Sequence, residues 1–400
     1  MTGAPAAHAA VAAVFREEAG RLTAALVRIL GDFDVAEELV QDALLAALER
    51  WPVDGIPARP GAWLLTVARR RALNQLRRDA CYRTKLAQLA QPVPREPDDR
   101  LRLIFTCCHP ALSRAAQVAL TLRAVCGFTT GEIAHAFLAS EAAVAQRIVR
   151  ARRKIVAAGI PFRMPDDDEW EGRLGEALAV LYLMFTEGYL TSGGPAATRR
   201  DLAEDAAWLA ALVVRLLPGE PEPLGLLALM RLHLARGAAR YTADGQLILL
   251  ADQDRALWDL AQIAGGIALI EQAAALQRPG PYQVEAAIAA CHAEAPSWAA
   301  TDWPQILLLY DLLLNLRPSP VVRLNRAVAL RQVAGPEAAL DEVNALGDAL
   351  DHYHLFHAIR GELLLDLGRR EQARAADLRA LALTHNHAEQ TLLTRRLLEW

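Results

Sequence analysis

The sequence is poor in the residues that build disulfide-bonded, aromatic-rich or membrane-spanning structures. Only five of its 400 residues are cysteine, and 6% are aromatic. The cysteines are odd in number and scattered, which argues against a disulfide framework. No apolar run is long enough to cross a bilayer, and the N-terminus lacks the basic segment and apolar core of a signal peptide. We therefore expect a cytoplasmic protein without a membrane partner.

Alternating β-branched residues are also scarce, and residues 246–250 are the one candidate strand. The rest has the pattern of Ala/Leu-rich helices, which predicts an all-α fold of two or three domains. Cys107 and Cys108 precede His109, but adjacent cysteines on a helix diverge, and no second ligand pair follows at zinc spacing. We interpret them as buried thiols and expect no metal site and no cofactor.

Charge is distributed unevenly along the chain, whose net charge is −4. Residues 1–160 carry 22 Lys/Arg and 15 Asp/Glu, a net charge of +7, whereas residues 161–400 have a net charge of −11. The first 50 residues are themselves acidic, with four basic and eight acidic side chains. An acidic opening, a basic middle and an acidic C-terminal half predict different partners for different segments.

The segment 129–154 reads TTGEIAHAFLASEAAVAQRIVRARRK and predicts two short helices separated by a tight break. Ser140 is a suitable N-cap for the second helix. At helical spacing, Val144, Ile148, Ala151 and Ile155 form an apolar stripe. The opposite face carries Gln146, Arg147, Arg150, Arg153 and Lys154. This is typical of a helix-turn-helix that places its second helix in the DNA major groove. An ordinary surface helix with a solvated basic face is the alternative.

Two further helices are predicted upstream. Residues 34–51 read DVAEELVQDALLAALERW, with Asp34 as the expected cap and one acidic face. The apolar face of this helix is formed by Val35, Leu39, Leu44, Leu45 and Leu48. In the next helix, residues 61–80, five arginines fall within ten positions without an acidic residue between them: Arg69, Arg70, Arg71, Arg77 and Arg78. This density favours an anionic partner such as nucleic acid.

Beyond residue 160 the chain changes character. Proline and acidic residues at 161–168 mark a boundary, and Ala/Leu-rich helices broken by Pro/Gly turns follow. Near the end, a shift of 34 residues places Ala339 on Ala373, and a shift of 33 places Gly335 on Gly368. This period predicts helical hairpins of the tetratricopeptide type in at most two copies.

In order and spacing, these motifs resemble those of the extracytoplasmic-function (ECF) sigma factors of bacterial RNA polymerase. The helix at 34–51 resembles the opening helix of sigma region 2, and the arginine-rich helix resembles its promoter-binding helix. The helix-turn-helix resembles sigma region 4. The resemblance implies region 2 at 8–80, a linker at 81–98, region 4 at 99–160 and a tetratricopeptide-like regulatory extension at 165–400.

The resemblance also implies roles for individual residues. Leu39, Gln41 and Asp42 match positions that dock on the polymerase β′ clamp, and region 4 would meet the β flap. In the helix that meets the −10 element, the matching residues are Arg70, Asn74, Arg77 and Arg78. Those expected at the −35 element are Gln146, Arg147 and Arg150 facing the groove, with Arg152, Arg153 and Lys154 contacting phosphate or polymerase. Ala145 departs from the polar or basic residue that many relatives carry there.

The implied function is to direct core RNA polymerase to promoter DNA, with an extension that regulates this activity in cis and offers a surface to a regulatory protein. Two alternatives remain. One is a stand-alone helix-turn-helix regulator that does not bind core polymerase. The other is an enzyme in the C-terminal half that uses the histidines at positions 352, 354, 357, 385 and 387. Because no acidic companions stand at a recognised catalytic spacing, we expect no enzymatic activity and no catalytic residues.

Overall fold

The computed structural model describes residues 3–76, 99–137, 139–190, 196–242 and 245–398. The regular elements of these segments are helices, which confirms the predicted all-α fold. The candidate strand contributes only an isolated bridge between Tyr241 and Leu247. Two compact units are formed, unit 1 at Met1–Met184 and unit 2 at Phe185–Trp400. The predicted linker at 81–98 lies outside the described residues.

Unit 1 contains seven helices and the beginning of an eighth in the described part of the chain. They are α1 (Gly3–Leu30), α2 (Phe33–Asp54), α3 (Pro60–Leu76), α4 (Arg100–Cys107), α5 (Arg114–Ala124), α6 (Thr130–Ala136), α7 (Glu141–Ala157) and α8 (Trp170–Leu190).

Helices α1, α2 and α3 share one hydrophobic core. Leu26, Leu39 and Leu64 are buried in it, and the rings of Trp51 and Trp63 meet edge to face with centroids 5.6 Å apart. Large aliphatic and aromatic side chains lost from water provide most of the stability of such a bundle. This core holds the outer faces of α2 and α3 in fixed positions.

The start of α2 differs from the prediction. Its cap is Asp32, whose carboxylate accepts hydrogen bonds from the backbone N–H groups of Asp34 (2.8 Å) and Val35 (3.1 Å). Asp34 lies in the first turn instead, where its negative charge interacts favourably with the positive end of the helix dipole.

The core of α4–α7 contains three cysteines. Cys107, Cys108 and Cys126 are buried, which confirms the interpretation of Cys107 and Cys108 as buried thiols. Burial raises the pKa of Cys108 to about 12, so this thiol stays protonated. The first part of α8 also packs here, because Arg173 Nη2 donates to the carbonyl of Phe105 at 2.6 Å. Unit 1 therefore extends beyond the boundary expected at residues 161–168.

Unit 2 is built from helices that mostly pack against their neighbours in the sequence. Its helices are α9 (Ala196–Leu216), α10 (Pro221–Leu234), α11 (Leu260–Ala275), α12 (Pro281–Glu294), α13 (Trp303–Leu316), α14 (Pro320–Ala334), α15 (Pro336–Asn344), α16 (Gly347–Leu350), α17 (His354–Asp366), α18 (Arg370–Leu383) and α19 (His387–Leu398). Three short 3-10 turns, Gly237–Ala239, Leu250–Asp252 and Arg255–Leu257, lie between α10 and α11.

Both C-terminal hairpins expected from the sequence shift are present. Gly335 turns α14 into α15 with φ 89°, and Gly368 precedes α18 with φ 71°. Glycine adopts these left-handed conformations without the steric cost that a Cβ atom imposes. The superposed residues Ala339 and Ala373 are both fully buried in one core that joins the two hairpins.

None of the helices in the described segments is long and apolar enough to span a bilayer.

Candidate polymerase and promoter interface

The helix-turn-helix is fixed by two side-chain caps. Thr129 and Glu132 form a capping box at the start of α6, with Thr129 N donating to Glu132 Oε2 at 2.7 Å. Ser140 caps α7 as predicted, its hydroxyl accepting from the backbone N–H of Ala143 at 3.2 Å. These bonds satisfy backbone donors that have no partner within the helix. The caps therefore define where α7 begins and how its side chains are directed.

Helix α7 has a buried face and an exposed basic face. The predicted stripe of Val144, Ile148, Ala151 and Ile155 is buried throughout. On the other side, Gln146, Arg150, Arg153 and Lys154 are exposed and Arg147 is half-buried. Amide and guanidinium groups presented in this way can bond to base edges and phosphates in a major groove. The prediction of an apolar inner face and a basic outer face is confirmed.

Arg152 points away from this basic surface, contrary to its expected phosphate or polymerase contact. Its guanidinium bonds to Asp34 and Glu37 on α2, and Glu37 also accepts from Arg123 of α5. The side chains of Arg152, Arg123 and Glu37 are only 13–19% exposed, whereas that of Asp34 is 74% exposed. The Glu37 pairs are therefore shielded from solvent, while the Asp34 pair is screened.

A second set of contacts joins the same two parts of unit 1. Arg28 of α1 donates to the carboxylate of Asp99 at 2.6 Å, and Arg102 bonds to that carboxylate as well. Gly20 lies so close to the end of α5 that a Cβ atom there would sit 2.4 Å from the Val125 carbonyl oxygen. We call the Glu37 ion pairs, the Arg28–Asp99 ion pair and the Gly20–Val125 approach together the inter-region contact.

The outer face of α2 contains only part of the predicted polymerase surface. Gln41 is exposed, and Asp42 is half-exposed with an ion pair to Arg71 at 2.9 Å. Leu39 is 2% exposed and belongs to the core, so its side chain supports this surface and does not reach it. Leu45 was expected inside but is 56% exposed. It lies four residues after Gln41 and therefore on the same face.

The arginine-rich part of α3 is only partly described. Arg70 is exposed, and Arg71 finds its acidic partner on α2, although no acid stands beside it in sequence. Burial lowers the pKa of Arg69 from its usual value, and the nearby Arg28 adds to this effect. Asn74 lies on α3, but its side chain is outside the described part of the structure, as are Arg77 and Arg78.

Two of the five C-terminal histidines lie against neighbouring groups of unit 2. His357 is buried with Nε2 2.8 Å from the carbonyl oxygen of Asp351, and His354 Nε2 lies 3.0 Å from Glu389. Within the described segments, no group of three or more His, Cys, Asp or Glu side chains is arranged to hold a metal ion.

Comparisons with known proteins agree with this arrangement. Residues 14–80 match the family Sigma-70 region 2, residues 102–155 match Sigma-70, region 4, and residues 173–274 match a family of unknown function, DUF6596. No solved structure matches the chain.

Two groups of curated relatives cover different parts of the sequence. The ECF RNA polymerase sigma factor SigL of Mycobacterium tuberculosis is 32% identical over 164 residues, 39% of this chain and 92% of SigL. The probable ECF sigma factor SigI of the same organism is 29% identical over 37% of this chain and 55% of SigI. An uncharacterised protein of Rhizobium meliloti (strain 1021) is 45% identical over 93% of this chain and 92% of its own length.

A region 2 bundle followed by a region 4 helix-turn-helix defines a transcription initiation factor of the sigma-70 class. Since SigL is matched over nearly its whole length, the chain belongs to the ECF RNA polymerase sigma factors and carries a C-terminal helical extension. It directs core RNA polymerase to promoter DNA.

Proposed function

We propose that three surfaces of unit 1 have separate roles in promoter recognition: one binds polymerase, one binds the −10 element and one binds the −35 element. Gln41 and Asp42 on α2 bind the β′ clamp together with Leu45, and Leu39 holds them in place from the core. Region 4 also contacts the β flap. The −10 element is met by Arg70, Asn74, Arg77 and Arg78. The −35 element is met by Gln146, Arg147, Arg150, Arg153 and Lys154. The observation that carries this proposal is the exposed basic face of α7 above its buried stripe.

Transcription in vitro with purified core polymerase on a promoter library tests the proposal. We expect one promoter class to be transcribed only when the protein is added. A stand-alone regulator would bind duplex DNA but would neither associate with core polymerase nor start transcription, and that result would contradict the proposal.

Substitutions on α7 should separate base reading from phosphate contact. We expect Arg150→Ala or Gln146→Ala to lose about 1–3 kcal/mol of discrimination at one base pair of the −35 element. Arg153→Ala should weaken binding to all sequences similarly. It should also reduce the slope of log affinity against log salt concentration by about one. Promoter binding by the holoenzyme, measured on single-base promoter variants at several salt concentrations, distinguishes these outcomes. Equal losses on every base variant for Arg150→Ala would exclude its role as a base reader.

We infer that the inter-region contact must open when the protein binds polymerase. Elements at −35 and −10 are about 25 base pairs apart, or about 85 Å at roughly 3.4 Å per base pair. A compact unit of the length of unit 1 has a radius of gyration of about 16 Å, and thus a diameter of about 40 Å. Regions 2 and 4 therefore cannot occupy both elements while they remain in contact.

The C-terminal extension is proposed to regulate this activity in cis. Residues 161–400 carry a net charge of −11, against +7 for residues 1–160, and a tethered acidic module has a high effective concentration near a basic surface. We assign no enzymatic role to it.

Two truncations test the extension. A chain ending at residue 190 keeps α8, whose Arg173 binds the region 4 core, whereas a chain ending at residue 160 removes this support. We expect the 1–190 chain to differ from the full chain in promoter output with core polymerase. The 1–160 chain should be less stable to heat. An identical promoter output of full chain and 1–190 chain would remove the regulatory role.

A further inference from the structure

Unit 2 contains a group of arginines that lacks the acidic partners found elsewhere in the same unit. Arg236, Arg240 and Arg255 lie in and beside the 3-10 turns that connect α10 to α11. The hydrogen-bond acceptors of these three guanidinium groups are all uncharged. Arg236 Nε donates to Gln253 Oε1 at 3.3 Å, Arg240 Nη1 to the Tyr189 carbonyl at 2.6 Å, and Arg255 Nη1 to the Ala295 carbonyl at 2.7 Å.

The contrast with other arginines of unit 2 is clear. Arg278, Arg317, Arg326, Arg331, Arg379 and Arg396 each form an ion pair with Asp or Glu. Among the described residues, no carboxylate pairs with Arg236, Arg240 or Arg255, although residues 161–400 contain eleven more acidic than basic side chains. Three neighbouring guanidinium groups that repel one another are costly unless a counter-charge is supplied.

Aromatic rings enclose the three guanidinium groups. Arg240 Cζ lies 3.8 Å from the ring centroid of Tyr189, and Arg255 Cζ lies 4.5 Å from that of Trp258. Arg236 Cζ also lies over the Trp258 ring, 5.7 Å from its centroid. Stacking on aromatic faces leaves the edges of a guanidinium available for bidentate hydrogen bonds to an oxyanion.

Polar atoms without hydrogen-bond partners surround the same place. They are Tyr189 Oη, His233 Nδ1, Arg255 Nη2, Trp258 Nε1 and His292 Nδ1, all inaccessible to solvent. Trp258 as a whole is only 5% exposed. A single buried polar atom without a partner costs about 1–3 kcal/mol, so five in one neighbourhood require an explanation such as a bound ion, ligand or water.

Burial and the nearby arginine charges lower the pKa values of two histidines in this group, His233 and His292. Burial, followed by the charges of Arg236 and Arg240, lowers the pKa of His233 to about 3. Burial together with Arg236 and Arg255 lowers the pKa of His292 to about 4. Both rings are therefore neutral near pH 7 and present a donor or an acceptor without adding charge.

We propose that Arg236, Arg240 and Arg255, flanked by Tyr189 and Trp258, bind the phosphate or carboxylate group of a small anionic effector. The site lies mostly within the segment that matches the family of unknown function, and its residues belong to unit 2, whereas the proposed DNA and polymerase surfaces belong to unit 1. Its ligand binding is independent of the sigma activity and can be measured on the full chain alone.

Titration calorimetry and thermal unfolding of the full chain with inorganic phosphate, and separately with citrate, test this site. We expect saturable binding of at least one of them and a rise in Tm, because a ligand that binds only the folded state stabilises it. A response to phosphate alone identifies a phosphorylated effector, and a response to citrate alone identifies a carboxylate. No binding of either at millimolar concentration would overturn the proposal.

Variants distinguish a ligand site from a structural cluster. The double variant Arg236→Gln/Arg255→Gln should lower the affinity by about tenfold or more, since bonds from charged donors are lost. Without anion it should be at least as heat-stable as wild type, because repulsion is relieved. Arg360→Gln, whose Nε bonds to Asn344 at 2.9 Å, removes one charge elsewhere in unit 2 and should leave binding unchanged. A double variant that is less stable without anion yet keeps the full response to it would refute the site.

Discussion

We expect Glu37→Gln to tighten apparent binding to core polymerase by about tenfold or more. Glu37 neutralises both Arg123 and Arg152 in a largely buried setting, so its loss leaves two guanidinium groups facing each other. Removing one partner of a buried charge pair costs about 2–5 kcal/mol, and this cost falls on the closed state alone. If only the open state binds polymerase, as we propose, apparent affinity rises as the population of that state rises.

Two measurements check this expectation. Dyes at Glu49→Cys on α2 and Ala157→Cys on α7, in a chain with Cys81 and Cys291 replaced by serine, should report a longer distance in the Glu37→Gln variant. Fluorescence anisotropy then gives the affinity for core polymerase. Arg152→Gln should act in the same direction, and the double variant should show less than the sum of the two effects, since the residues share one ion pair. An unchanged dye distance would show that Glu37 does not hold the regions together.

Gly20→Ala is a test of the inter-region contact that alters no charge. The new Cβ atom would meet the Val125 carbonyl oxygen at 2.4 Å, so α1 must move away from the end of α5. We expect the dye distance and polymerase affinity to rise as with Glu37→Gln. Gly175→Ala is the matched control, because its Cβ atom meets nothing within 4 Å. It should stabilise α8 by about 0.5–1 kcal/mol without changing the dye distance or the affinity for polymerase.

Local patterns predicted α7 correctly because four apolar residues at helical spacing leave one way to bury the helix. The direction of Arg152 could not be predicted in the same way. It follows Ala151 at the edge of the stripe, and its partners Asp34 and Glu37 lie more than a hundred residues earlier. Only the packing of regions 2 and 4 within unit 1 reveals that this arginine is directed inward.

On α2, periodicity was ambiguous where apolar residues are adjacent. Leu44 and Leu45 point about 100° apart, and the sequence does not show that Leu44 is buried while Leu45 is exposed. The cap was equally ambiguous, because Asp32 and Asp34 both suit that position. The arginine cluster of unit 2 had no sequence signal, since its residues are spread from Tyr189 to His292 and meet only in the folded unit.

Leu39→Ala and Gln41→Ala should affect different properties, stability for the first and polymerase binding for the second, although the family resemblance assigns both residues to polymerase binding. Leu39 is fully packed, so its truncation should cost about 2–5 kcal/mol and lower the Tm of unit 1 by about 5–15 °C in calorimetry. Gln41 is exposed, so Gln41→Ala should change stability by less than about 0.5 kcal/mol. It should weaken core polymerase binding by about fivefold or more if it is an interface anchor. Leu39→Met, which conserves volume, should restore most of the stability and the binding. If Leu39→Ala weakened binding while the Tm stayed at the wild-type value, Leu39 would be a contact residue in a rearranged α2, and the core described here would not be the form that meets polymerase.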